Sequence, residues 1–234
     1  MRQLSNNGFD FFFQGYENLY VCFSGFFPDE KGIPVFEFKN MMSKSGSSCL
    51  FIKDVFKCWY QLGIDGLGTS LQDTIDFLEG FIKPYKNTVF VGNSMGGYAA
   101  ILFGLLIEPT NVVAISPQSY LKNDDVLNDH RWETYFERAR KNNKNISFLD
   151  LREVEKKSDC KIAIYYSFND FLDKSHIDLL ESVHNVQKIP CYGTTHASLV
   201  SKLNSSNLLS KIIFHSSKDV NCHTSLFPKG RIVF

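Results

Sequence analysis

The chain has 234 residues, 44% of them hydrophobic, with 25 Lys and Arg against 25 Asp and Glu. That is enough apolar material for one sizeable core, so a single domain over residues 1–234 is expected. A formal charge of zero offers no electrostatic footing for nucleic acid or an anionic membrane surface.

Taken in order, strand-like and helix-like segments alternate. "DFFFQGY" (10–16) and "NLYVCFSGF" (18–26) read as strands bounded by Gly and Asn. "IPVFEF" (33–38) and "SCLFIKD" (48–54) are two further short apolar runs of the same kind. The glycine-rich loop "GIDGLGTS" (63–70) then leads into a helix, with Thr69 and Gln72 at capping-box spacing. Leu71, Ile75, Leu78 and Ile82 form its apolar face, and Pro84 marks its end. Strand "TVFVG" (88–92), a glycine turn and helix "GYAAILFGLL" (97–106) follow, then strand "NVVAISP" (111–117). Residues 119–157 are polar and charged, and are expected to form a helix and loops over the sheet, a small cover for the substrate. Strand "KIAIYYSF" (161–168), helix "KSHIDLLESV" (174–183), strand "VQKIPCYG" (186–193) and the helix begun by "HASLVSKL" (196–203) complete the series.

Near-continuous apolar strands alternating with helices predict an α/β fold: a mostly parallel sheet covered on both faces. The first strands lack intervening helices, which predicts an antiparallel N-terminal edge. Ligands in such sheets bind outside the carboxyl ends of the strands, so the polar residues there matter most.

No leader is evident at the N-terminus, and the longest apolar run (98–107) is shorter than the ~20 residues a membrane span needs. Cys22, Cys49, Cys58, Cys160, Cys191 and Cys222 form no CxxC pair or zinc spacing, so buried free thiols, no metal and a cytoplasmic location are expected.

The chemistry centres on Gly92-Asn93-Ser94-Met95-Gly96, a G-x-S-x-G motif after a predicted strand and before a predicted helix. That is the setting of a nucleophile elbow: a sharp strand-to-helix reversal lifts the serine hydroxyl clear, and only glycine fits two residues either side. Neither a G-x-G-x-x-G nor a Walker lysine is present to support a phosphate turn. A serine nucleophile needs a base. Of the six histidines, His196 alone directly follows a strand and precedes a helix. His176 and His184 fall in or near a predicted helix and are expected on its solvated surface; His130 lies in the charged region, and His215 and His223 in the tail. The acid should come between Ser94 and His196. Asp170 is nearer the strand end, Asp173 lies just before the next helix as a candidate cap, and position does not separate them. An oxyanion hole needs two N–H donors. Met95 supplies one, and the Gly25–Phe26 loop after "VCFSGF" supplies the other, from Phe26.

These residues resemble the α/β-hydrolase superfamily of serine esterases: the elbow, the Ser…Asp…His order and the "FSGF" loop span roughly residues 18–205. "FSGFFP", "GNSMGG" and a D-x-x-H opening a helix are similar to small capless members linked to bacterial surface polysaccharides, among them capsular polysaccharide O-acetyltransferases. The resemblance implies an acid three positions before a helix-borne histidine, which selects Asp173, before His176, over Asp170. It also implies an acyl-pocket role for Trp59 and Tyr60 and for the loop Gly63–Ser70. The expected activity is hydrolysis of a small carboxylic ester or acylated saccharide through acyl-Ser94, with no cofactor. Two alternatives are an O-acetyltransferase on the same triad, with acetyl-CoA as donor although nothing in the sequence marks a coenzyme A site, and a catalytically silent binding module.

Overall fold

A computed structural model of the chain describes residues 3–26, 36–142, 144–155, 160–183, 185–216, 226–227 and 229–234. In this range nine strands form one sheet: β1 (Gln3–Ser5), β2 (Phe9–Phe12), β3 (Asn18–Phe23), β4 (Ser48–Ile52), β5 (Asn87–Asn93), β6 (Asn111–Ile115), β7 (Lys161–Ser167), β8 (Val186–Tyr192) and β9 (Ile232–Val233). Their order is β1-β2-β4-β3-β5-β6-β7-β8-β9. β1 to β2 and β2 to β4 are antiparallel, and every later pair is parallel. The mostly parallel sheet and its antiparallel N-terminal edge match the sequence expectation.

The helices are α1 (Lys39–Met42), α2 (Leu71–Ile82), α3 (Met95–Ile107), α4 (Glu133–Lys141), α5 (Phe171–Asp178), α6 (Leu199–Ser205) and α7 (Leu208–His215). Strand alternation divides the core. Leu19, Val21 and Phe23 of β3 face one side with α2 and α3, and Tyr20 and Cys22 face the other with α6 and α7. Every residue of α3 is buried. This explains its unbroken apolar run: it is packed on all sides, so no polar face is needed. No helix among the described residues is long and apolar enough to cross a membrane. Cys22, Cys49, Cys58, Cys160 and Cys191 are buried free thiols; Cys222, His184 and His223 lie outside the described residues.

Local details differ from expectation. α2 buries Leu71, Ile75, Leu78 and Ile82 as anticipated, but its capping box is Ser70 with Asp73, one residue beyond Thr69 and Gln72. The Ser70 side chain accepts the Asp73 amide, and the Asp73 carboxylate accepts the Ser70 and Thr69 amides. The shorter carboxylate reaches back where Gln72 instead bonds Asp76 on the outer face. Of "IPVFEF", residues 33–35 lie outside the described range and Phe36–Phe38 are not a strand but the turn entering α1. β1, β9 and α7 carry no sequence signal strong enough to have been anticipated: two are strands of two or three residues, and α7 follows α6 after a single turn.

Candidate active site

The carboxyl ends of β3, β5, β6, β7 and β8 meet in one place, and the segments that follow them bring Phe26, Ser94, Gln118, Asp173 and His196 together. From β5 the chain reverses at Ser94, whose φ of 52° and ψ of −117° are strained for a residue with a side chain. The Ser94 amide bonds the Ile115 carbonyl at 2.8 Å and so ties the elbow to β6. The glycines are required by contact. A Cβ on Gly92 would sit 1.9 Å from the Gly96 carbonyl oxygen, and one on Gly96 would sit 2.1 Å from that of Phe23.

The Ser94 Oγ lies 3.0 Å from Nε2 of His196, and His196 Nδ1 lies 2.5 Å from Oδ1 of Asp173. Asp173 is buried, and its second oxygen accepts the Ser116 hydroxyl at 2.5 Å and the Ser167 amide at 3.3 Å. These donors compensate the buried charge. Asp170 has a different task. It is the N-cap of α5, accepting the Asp173 amide, while its other oxygen accepts the His196 amide at 3.0 Å. Asp173, the acid that the resemblance selects, touches the imidazole, and the cap position considered for it is filled instead by Asp170.

Gln118, which follows β6, donates to the nucleophile. Its Oε1 is 3.2 Å from the Trp59 Nε1, and its Nε2 is 3.2 Å from the Ser94 Oγ. Indole N–H can only donate, so the amide oxygen must face Trp59 and the NH₂ must face Ser94. Ser94 therefore accepts from Gln118, and because the Asp173 carboxylate accepts from Nδ1–H, the Nε2 of the neutral ring is the acceptor for the Ser94 hydroxyl. This is the tautomer that a general base requires.

Trp59 sits in a loop bent around the buried Asp54, whose carboxylate accepts the amides of Phe56, Cys58 and Tyr60 at 2.9, 2.7 and 2.9 Å. Burial pushes the Asp54 carboxyl up to about 6 despite these bonds. They hold Trp59 and Tyr60 at φ 52° and 62°. Trp59 stacks on Phe26 and lines a cavity of about 850 Å³ that also contains Ser94, Gln118, Arg131, Tyr135 and His196. Tyr60 corrects the expectation. It does not line that cavity; it is fully buried, and its hydroxyl donates to the Ser24 carbonyl at 2.8 Å, bracing the loop beside the elbow.

The Gly25 amide is also spoken for: it donates to Oε2 of Glu37 at 2.6 Å, while Asn93 Nδ2 donates to Oε1 at 3.0 Å. Of the Gly25–Phe26 pair, Gly25 has its N–H engaged, and Phe26 lines the cavity. Met95 is the first residue of α3, so its N–H has no intrahelical acceptor. Burial pushes the Glu37 carboxyl up to about 7, against the lowering effect of the two bonds it accepts.

Similarity to solved structures bears on the architecture. The capsule O-acetyltransferase of Neisseria meningitidis serogroup A has a TM-score of 0.63 at 18% identity, covering 90% of this chain and 93% of that one. MGS-MChE2, an α/β hydrolase enzyme from the sediment metagenome of the Mar Chica lagoon, Morocco, gives 0.58 at 17% identity, covering 92% and 98%. The chain has the α/β-hydrolase fold. FphF, a fluorophosphonate-binding serine hydrolase of Staphylococcus aureus, shares it with a TM-score of 0.52 at 14% identity over 90% of this chain and 92% of that one. No protein-family profile and no curated protein matches the sequence.

Within this α/β-hydrolase fold, the region 119–157 adds wall residues to the cavity. Arg131 and Tyr135 line it, while Trp132 and Phe136 pack against Trp59. His176 is not solvated as expected but buried at 1% exposure, with Nε2 3.2 Å from Oδ2 of Asp129. His130 and His215 are exposed and do not line the cavity, the former lying against Glu133. Gln118, Ser116, Glu37 and the Asp129–Arg131 pair are the site residues that the sequence reading missed. Ser116 and Gln118 follow a strand end directly and were open to the same reasoning as His196. Among the described residues, no group of three or more His, Cys, Asp or Glu is placed to hold a metal ion.

Proposed function

We propose that the protein is a serine carboxylic ester hydrolase acting through an acyl-Ser94 intermediate on a small ester, with O-acetylated carbohydrate as the substrate class. The observation that carries this reading is the continuous chain Ser94–His196–Asp173, with links of 3.0 and 2.5 Å, opening on the cavity. Ser94 Oγ attacks the ester carbonyl as its proton passes to His196 Nε2. The amides of Met95 and Phe26 hold the oxyanion, and Asp173 stabilises the imidazolium. His196 returns the proton to the departing alcohol; it then deprotonates a water that attacks the acyl-enzyme, releasing the acid and restoring Ser94.

A second reading is O-acetyl transfer, in which a sugar hydroxyl takes the place of that water. It is favoured by the likeness to a capsule O-acetyltransferase, a protein also seen in complex with CoA. Acetyl-CoA would be the donor substrate.

Turnover of p-nitrophenyl acetate by the wild type and by Ser94→Ala tests the shared step. The variant should lose at least roughly a thousandfold in kcat; equal turnover would refute both readings. Adding acetyl-CoA and a polysaccharide acceptor separates them. Transfer outpacing hydrolysis would replace the first reading with the second.

A further inference from the structure

One charged side chain in the cavity is not used by the acyl chemistry. Arg131 lines the cavity beside Ser94, Gln118 and His196 with its side chain 37% exposed. Its guanidinium is held along one edge. Nε donates to both oxygens of Asp129 at 2.8 and 2.9 Å, and Nη2 donates to Oδ2. Asp129 is buried and is fixed from behind by His176, whose Nδ1 accepts the Ser119 amide at 3.2 Å. His176 Nε2 therefore carries the hydrogen and donates it to Asp129 at 3.2 Å. Burial would raise the Asp129 carboxyl, but the His176 and Arg131 bonds outweigh it and hold the group well below the usual carboxylate range. The remaining Nη1 edge is turned toward the reacting centre, 3.5 Å from His196 Nε2.

This placement is unfavourable for acyl chemistry alone. His196 becomes an imidazolium during the reaction, and a guanidinium beside it repels that charge. Asp129 offsets the repulsion only in part, from the far edge. An anion brought in by the substrate would compensate the rest. Its position on the substrate follows from proton transfer. Nε2 is the atom that serves the departing or accepting oxygen, so a group adjacent to Nε2 faces the alcohol portion of the ester and not the acyl group. Lys39 also lines the cavity but is paired with Asp10.

We infer that Arg131 is a specificity residue that recognises an anionic oxygen group, a carboxylate or a phosphate, on the alcohol portion of the substrate, so that the preferred alcohol is an acidic saccharide. The inference rests on the roles given above to Ser94 and His196. Planar guanidinium donors suit both oxyacids, and the Asp129–His176 support presents the Nη1 edge in one orientation, where a substrate anion would compete with its long contact to His196.

Binding to the Ser94→Ala protein tests this without requiring turnover. Methyl glucuronide, glucose 6-phosphate and methyl glucoside are titrated calorimetrically at constant ionic strength. At least one charged sugar should bind about tenfold or more tightly than the glucoside. Whether the carboxylate or the phosphate shows the gap identifies the source of the anion. Adding Arg131→Gln should abolish the gap, and Arg131→Lys, which retains charge without the planar fork, should restore only part of it. Circular dichroism and thermal melting establish that each variant is folded. Equal affinity for all three sugars, no binding of either anion, or a preference that survives Arg131→Gln overturns the inference. Turnover of p-nitrophenyl acetate by the wild type is read separately, so a failure of the ester-hydrolase reading is distinguishable from a failure of this one.

Discussion

Two aspartates three residues apart have opposite tasks, and a single atom pair decides between them. Asp173 Oδ1 touches His196 Nδ1, whereas Asp170 holds the His196 amide and the first turn of α5. Asp173→Asn should lower kcat by roughly 10³–10⁴-fold, because the amide no longer enforces the required tautomer. Asp170→Asn preserves a capping side chain and should cost no more than about tenfold. Steady-state kinetics on the two purified variants check the pair; the reverse order would exchange the roles. Position along the chain put both residues at the right strand end without separating them, and the resemblance alone selected Asp173. The distinction depends on where α5 begins, and helix starts are uncertain by a residue or two. Glu37 was hidden for another reason: a lone carboxyl in the apolar run "VFEF" has no periodic signature, and its partners Gly25 and Asn93 lie 12 and 56 residues away. Its consequence is a pH effect. The folded value of about 7 lies above the ordinary 4.5, so the folded state retains a proton that the unfolded state releases. Stability from this group is therefore full at low pH and falls as pH rises from about 4.5 through 7. Urea midpoints measured over that range should fall less in Glu37→Gln than in the wild type.

At the scale of elements, the elbow was the most legible feature. Its signal is local, with two glycines and a serine between apolar runs, although the contact that demands Gly96 comes from the end of β3 and only that at Gly92 comes from the elbow itself. Gly92→Ala and Gly96→Ala should each destabilise by roughly 3 kcal/mol, since the added methyl meets backbone that cannot move aside. Gly80→Ala is the contrast. That glycine is exposed within α2, with nothing within 4 Å of an added Cβ, and the substitution should stabilise by about 0.5–1 kcal/mol. Thermal melts of the three variants compare the effects directly; a mild loss at Gly92 would mean the reversal is looser than drawn. The cap of α2 was less legible: Thr69 with Gln72 and Ser70 with Asp73 have the same spacing. Ser70→Ala should cost about 1 kcal/mol, and Thr69→Ala much less.

Across the whole molecule, the mostly parallel sheet, its antiparallel N-terminal edge and the two-sided core were readable because buried parallel strands leave long apolar runs and exclude charge. What the sequence could not convey was convergence. Gln118, Arg131 and Asp129 matter because β6, the segment before α4 and α5 meet, and such meetings span dozens of residues with no pattern along the chain. His176 was misplaced for the same reason, since only the packing of the 119–157 region over α5 buries it. The central claim is that these strand ends make Ser94 a nucleophile. The most direct measurement is to mix the protein with p-nitrophenyl acetate, quench in acid during turnover and map acetylation by peptide mass spectrometry. One acetyl group on Ser94, absent in Ser94→Ala and accumulating when deacylation is slow, is the predicted result. Rapid turnover with no acetyl on Ser94, or acetylation at another residue that accounts for the rate, would contradict it.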